Sequence, residues 1–211
     1  MTDNNEEQPR VEMTTTYPDA DDLDDEKFEN VVLYVLEACP SAGLTKLLKM
    51  IWKADWSHYQ DHLSPITNAK YVALQRGPVV DGYVGIFDRL ERRGIIMHEG
   101  DKGTGKPKSK LNYVPIESPD LSVFTESELQ TLSVVVREYG NHSGVDLSDM
   151  SHEENGVWSW AWDPNSPGNP IPYTLVRWLK NWCDDKDIEE AREILKSQEM
   201  TETLQSLEAC A

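Results

Sequence analysis

The fold is decided by residues 43–96, which read GLTKLLKMIWKADWSHYQDHLSPITNAKYVALQRGPVVDGYVGIFDRLERRGII. The first half of this stretch predicts a long helix, because large apolar residues recur at steps of three and four and so fall on one side. These residues are Leu44, Leu47, Leu48, Ile51, Trp52, Trp56 and Tyr59. Lys46, Lys49, Lys53 and His58 fall largely between them.

A break and a second helix complete the stretch. Ser64-Pro65 ends the first helix, because proline supplies no backbone N–H and disfavours helix at the residue before it. After an apolar run at 69–74, a second amphipathic helix ends at Gly94. Its apolar residues are Tyr83, Val84, Phe87 and Leu90.

Local signals outside this stretch predict further elements. Asp24 or Asp25 is a suitable N-cap for a helix that precedes Pro40. Residues 94–114 predict a β-hairpin, since two short apolar runs flank a tip rich in glycine and lysine. The remaining signals are a capping box at Thr125 and Glu128, a short helix near 145–152 and a last helix near 187–207. Together they predict a mainly α protein, a compact helical domain with one small β-hairpin.

Charge divides the chain into three parts. Residues 1–26 carry ten acids and one base, and residues 184–211 carry nine acids and three bases, whereas the body between them is nearly balanced. We therefore expect a disordered acidic tail over 1–24, a domain over 25–180 and an acidic C-terminal helix within 181–211. The acidic balance argues against general nucleic-acid binding, which needs a basic face.

Cysteine usage and hydropathy bear on the compartment. Three widely spaced cysteines form no CxxC pair, which fits a reducing cytosol. No apolar run approaches the length of a membrane span, and the acidic N-terminus has no hydrophobic signal core. We expect a cytoplasmic protein with no membrane partner.

Three groups of residues raise the question of catalysis or metal binding. Asp55, His58 and His62 lie at helical spacing, yet no third ligand stands at a metalloprotease spacing, so we expect them to form a polar edge of the helix. His152 lies between Ser151 and two acids, but adjacent residues on a helix do not face one another and cannot form a triad. We expect instead a structural histidine whose ring nitrogen joins two segments. Residues 103–106, GTGK, lack the full phosphate-loop spacing. We therefore expect no enzymatic activity, no metal and no cofactor.

A tryptophan-rich segment offers a partner-binding site. Trp158, Trp160 and Trp162 alternate, so an extended backbone would place all three on one face. Tryptophan is enriched at the centres of protein interfaces. Core packing is favoured for Trp158, and contact with a partner is favoured for Trp160 and Trp162.

The ordered set of motifs resembles a known family. Over roughly residues 27–175 the chain is similar to the SocA-like Panacea domain. The motifs that carry this resemblance are, in order, KLLKMIWKADWSHY, PITNAKYVALQRGPV, LERRGII, and LSDMSHE at 147–153 with a tryptophan beyond it. The matching signature positions are Lys46, Leu47, Asp55, Tyr71, Gly77, Pro78, Ser151 and His152. Asn68 departs from the pattern, since the family usually has glycine there or beside it, and residues 50–52 replace a more usual Leu-Tyr-Phe/Leu.

The resemblance implies a function. Panacea-domain proteins are antitoxins of toxin–antitoxin pairs in bacteria and phages, so we expect an antitoxin that neutralises a cognate protein toxin by direct binding. The toxin is expected to be encoded next to it, on a prophage or another mobile element. The activity of the toxin and the oligomeric state stay open.

A second function comes from a local concentration of basic residues. Residues 89–110 carry seven bases against three acids, and a helix followed by a hairpin also fits a winged-helix DNA-binding regulator. Its nucleic-acid contacts would be Arg92, Arg93, Lys106 and Lys108. The acidic balance of the whole chain makes this the alternative.

Overall fold

The computed structural model describes residues 23–40, 42–99, 112–153 and 156–175. Six α-helices lie in these residues: α1 (Asp25–Ala38), α2 (Leu44–His62), α3 (Tyr83–Arg93), α4 (Glu126–Tyr139), α5 (Gly144–Glu153) and α6 (Val157–Ala161). The five strands that accompany them are β1 (Tyr71–Leu74), β2 (Gly77–Val80), β3 (Ile96–His98), β4 (Tyr113–Pro115) and β5 (Asn169–Ile171). The prediction of a mainly α fold is confirmed.

The helix ends follow from local chemistry. The Asp24 carboxylate accepts the backbone N–H of Lys27 at 3.0 Å and so caps α1. The predicted capping box begins α4, with Thr125 and Glu128 each bonded to the other's backbone N–H. Gly94 ends α3 in the left-handed conformation that glycine adopts readily.

Helix α2 is the centre of the fold. Every residue from 47 to 56 is buried, including Lys49, Lys53 and Asp55. The predicted polar edge is therefore wrong for this part of the helix, because α1, α4, α5 and β2 all pack around it. A helix that is covered on all sides must satisfy its polar side chains inside the protein.

Two antiparallel sheets flank the helices. Strands β3 and β4 form the predicted hairpin, with Met97 opposite Val114. The second sheet has the order β2-β1-β5 and was not predicted. In it, Tyr71 of β1 lies opposite both Val80 and Ile171. This sheet brings the segment after α6 back against β1.

Several predictions lie outside the described residues. These are the acidic N-terminal tail up to residue 22, the hairpin tip at 100–111 and the last helix near 187–207. Within the described part, no helix is both long and apolar enough to cross a membrane.

Candidate functional site

Asp55 is the hub of a buried hydrogen-bond network. Its carboxylate accepts the backbone N–H groups of Ile66 and Thr67 at 2.9 and 2.8 Å. The hydroxyls of Thr67 and Tyr71 donate to its second oxygen, Tyr71 at 2.7 Å. Burial raises the pKa of Asp55, and these four bonds oppose that rise. The network ties α2 to the loop after it and to β1.

The candidate metal-binding side chains are engaged in other contacts. His58 Nδ1 lies 2.6 Å from the Ser64 carbonyl oxygen, and Nε2 lies 3.3 Å from the Ser127 hydroxyl. The His62 ring stacks on that of His58, with centroids 4.4 Å apart. Among the described residues, no three His, Cys, Asp or Glu side chains are grouped as metal ligands would be. His58 therefore joins the end of α2 to the start of α4.

Three lysines of α2 end on acceptors from other elements. Lys46 Nζ donates to the Gly140 carbonyl at 2.6 Å, and Lys49 Nζ donates to the Pro78 carbonyl at 2.7 Å. Lys53 Nζ lies 4.6 Å from the centroid of the Tyr139 ring. Burial lowers the pKa of Lys49 to about 7 and that of Lys53 to about 8.

These lowered pKa values set the pH dependence of stability. Above about pH 7 the folded protein has released protons that an unfolded lysine, with its ordinary pKa of 10.5, still holds. The unfolded state thus binds more protons, so the free energy of unfolding rises with pH from about 7 to 9.5.

Three side chains clamp the β1–β2 hairpin. Its carbonyl oxygens at residues 74, 76 and 78 each accept a hydrogen bond from a different helix, an arrangement that we call the hairpin clamp. The bonds run from Trp158 Nε1 to Leu74 at 2.7 Å, from Ser148 Oγ to Arg76 at 2.6 Å and from Lys49 Nζ to Pro78 at 2.7 Å. The clamp fixes α2, α5 and α6 around one hairpin.

Gly77 makes the hairpin clamp sterically possible. Its φ is +95°, and a Cβ added there would lie 2.2 Å from Ser151 Oγ and 2.6 Å from Lys49 Nζ. A side chain at this position would be both strained and in collision. The signature glycine, the proline after it and Ser151 thus meet at a single buried contact.

An aromatic stack runs from α5 across α6. The His152 ring lies 3.8 Å from that of Trp158, and the Trp158 ring lies 5.4 Å from that of Trp162, measured between centroids. Trp160, between them in sequence, points elsewhere and is 39% exposed. The expectation of one shared face is wrong, because residues 157–161 form a helix that places positions four apart together.

His152 and Ser151 form no catalytic pair. Ser151 Oγ donates to the Ser148 carbonyl at 2.6 Å, and His152 turns its ring face to Trp158. Burial, followed by the charge of Lys49, lowers the pKa of His152. His152 therefore joins α5 to α6 through its ring face, whereas the sequence suggested a bond from a ring nitrogen.

The basic stretch is partly neutralised by α1. Arg89 forms an ion pair with Asp25, and Arg93 forms one with Glu29. Arg92 Nε donates to a carbonyl of its own helix at 3.2 Å. Lys106 and Lys108 lie outside the described residues.

These observations place the signature residues at buried joints. The family described as antitoxin SocA-like, Panacea domain, matches residues 47–159, more than half of the chain. The chain therefore belongs to the SocA-like Panacea family of antitoxins. No curated protein and no solved structure gives a significant match.

Sequence reasoning missed three residues that build these joints. Ser148 and Lys49 complete the hairpin clamp, and Tyr173 stacks on Trp56 with centroids 5.3 Å apart. Ser148 lies within the signature at 147–153, so the motif itself held that signal. Nothing in the local pattern marks Lys49 or Tyr173, since their partners are distant in sequence.

Proposed function

We propose that this protein is an antitoxin that neutralises a cognate protein toxin by direct binding, without catalysis. The observation that carries the proposal is membership of the antitoxin family over residues 47–159. Burial of the signature residues supports it further. Asp55 and Ser151, the polar residues with catalytic potential, are at most 1% exposed and bonded to neighbours.

The proposed contact surface lies on α6. Trp160 is a large apolar side chain exposed on a helix that the hairpin clamp holds in place. An exposed tryptophan on a rigid support loses little side-chain entropy on binding and can bury a large area.

Binding of the adjacent reading frame's product tests this surface. Trp160→Ala is expected to weaken the complex by at least tenfold, as interface anchors commonly do. Val84→Ala removes an apolar side chain of α3 that is 59% exposed, more than Trp160, and we expect unchanged affinity. Equal effects of the two substitutions, in calorimetry at matched salt, would remove α6 from the interface.

DNA binding is the second candidate function. The β3–β4 hairpin follows α3 directly, as a wing would, which favours it. However, Arg89 and Arg93 would first have to leave their ion pairs with α1. A salt-dependent shift of operator DNA supports this function, and no shift at low salt ends it.

The domain bounds belong to the same proposal. We propose that residues 25–180 form the antitoxin domain and that the acidic ends steer association with a basic toxin. Deleting residues 1–22 is expected to slow association at low salt and to leave dissociation unchanged.

A further inference from the structure

We propose that the surface of α5 and α6 binds an arginine side chain of a basic partner segment. We call this the stack surface: the stacked rings of His152, Trp158 and Trp162. The inference deepens the proposed function and rests on it for the identity of the natural partner. The arginine-binding property itself can be tested without that partner.

The first support is the geometry of the rings. Trp158 and Trp162 lie nearly parallel, at 15°, and the hairpin clamp fixes Trp158 through its indole N–H. Trp162 is half-buried at the end of the stack, whereas Trp160 lies on another side of α6. Rigid indole faces at a surface attract cations, and tryptophan does so more strongly than other aromatic residues.

The second support is the charge around the rings. Helices α5 and α6 contain no lysine or arginine, and Asp146 and Asp149 are exposed on α5. Asp149 is exposed and close enough to His152 to raise its pKa, and Asp163 follows Trp162 directly. Two bases of other elements reach α5: the Arg76 carbonyl accepts a hydrogen bond from Ser148, and the charge of buried Lys49 acts on His152.

Charge and shape together select the partner. A polyanion such as nucleic acid would be repelled by this acidic surface, whereas a basic segment would be attracted. Arginine fits better than lysine, because its planar guanidinium stacks on an indole while its N–H groups bind a carboxylate. The partner chemistry is therefore a basic protein segment that presents arginine.

A peptide titration tests the inference directly. The full-length protein is labelled with ¹⁵N on tryptophan, and the indole N–H signals are assigned by single substitutions. The probe is acetyl-Arg-Gly-Arg-Gly-Arg-amide, and the matched control peptide has uncharged citrulline in place of each arginine. We expect a saturable shift of the Trp162 signal with the arginine peptide, with a dissociation constant on the order of 1 mM.

Protein variants sharpen the test. Asp149→Asn is expected to weaken peptide binding about threefold, and Asp61→Asn, an exposed acid on α2, is expected to leave it unchanged. The buried indoles of Trp52 and Trp56 serve as internal references. Three results would each overturn the inference: an equal shift with the citrulline peptide, no shift at Trp162, or equal effects of Asp149→Asn and Asp61→Asn.

The two proposals can fail separately. If the arginine peptide binds but the neighbouring gene product does not, the stack surface stands and the antitoxin assignment fails. If the gene product binds and the peptide gives no shift, direct neutralisation stands and the arginine-binding surface fails.

Discussion

Replacing Gly77 by alanine tests the hairpin clamp most sharply. The backbone at Gly77 has a φ of +95°, which costs an alanine about 1–2 kcal/mol. The added methyl group would also lie 2.2 Å from Ser151 Oγ and 2.6 Å from Lys49 Nζ. Such overpacking costs a further amount of about 1–3 kcal/mol. We therefore expect Gly77→Ala to lower the free energy of unfolding by about 4 kcal/mol.

Gly168→Ala separates the two contributions. Gly168 has a φ of +96°, nearly that of Gly77, but an added Cβ would have no neighbour within 4 Å. Gly168→Ala is expected to lower the free energy of unfolding by only about 1–2 kcal/mol, from backbone strain alone. Urea unfolding followed by circular dichroism measures both variants. Equal losses would refute the steric role of Gly77 in the hairpin clamp.

Three further substitutions probe the buried polar groups. Lys49→Met is expected to flatten the rise in the free energy of unfolding between pH 7 and 9.5, because it removes the buried amine that releases its proton on folding. Urea titrations at several pH values measure this rise, and an unchanged slope would contradict the prediction. Asp55→Asn is expected to lower the free energy of unfolding by about 3 kcal/mol, since an amide cannot accept hydrogen bonds from all four donors. The control Asp61→Asn, at the exposed end of α2, is expected to change the free energy of unfolding by less than about 0.5 kcal/mol. Trp158→Phe keeps an aromatic ring but loses the indole N–H hydrogen bond to the Leu74 carbonyl. Thermal unfolding is therefore expected to show a decrease of about 1–2 kcal/mol in the free energy of unfolding.

Local chemistry explains the part of the fold that could be predicted. Four predicted features depend on residues close in sequence: the Asp24 cap, the capping box at Thr125, the end of α3 at Gly94 and the β3–β4 hairpin. The sheet that was not predicted depends on residues that are distant in sequence. Strand β5 lies in a proline-rich segment about a hundred residues after β1, and no local pattern announces that pairing.

The candidate site was less predictable because burial reverses the usual meaning of polar residues. Lys49 and Asp55 suggest a solvated helix edge, yet carbonyl and hydroxyl groups from other elements let them lie inside. The family resemblance found Asp55 and Gly77 without supplying their roles. Asn68 is an instructive exception. It has a φ of +54°, so the glycine usual at or beside this position fits the backbone, and asparagine tolerates it.

The most direct test of the proposed function is co-expression with the product of the adjacent reading frame. We expect that product to stop growth when expressed alone, and growth to be restored when this antitoxin is present. The two proteins should also elute as one complex, and Trp160→Ala should reduce both rescue and co-elution. A neighbour that is harmless alone and forms no complex would contradict neutralisation by direct binding.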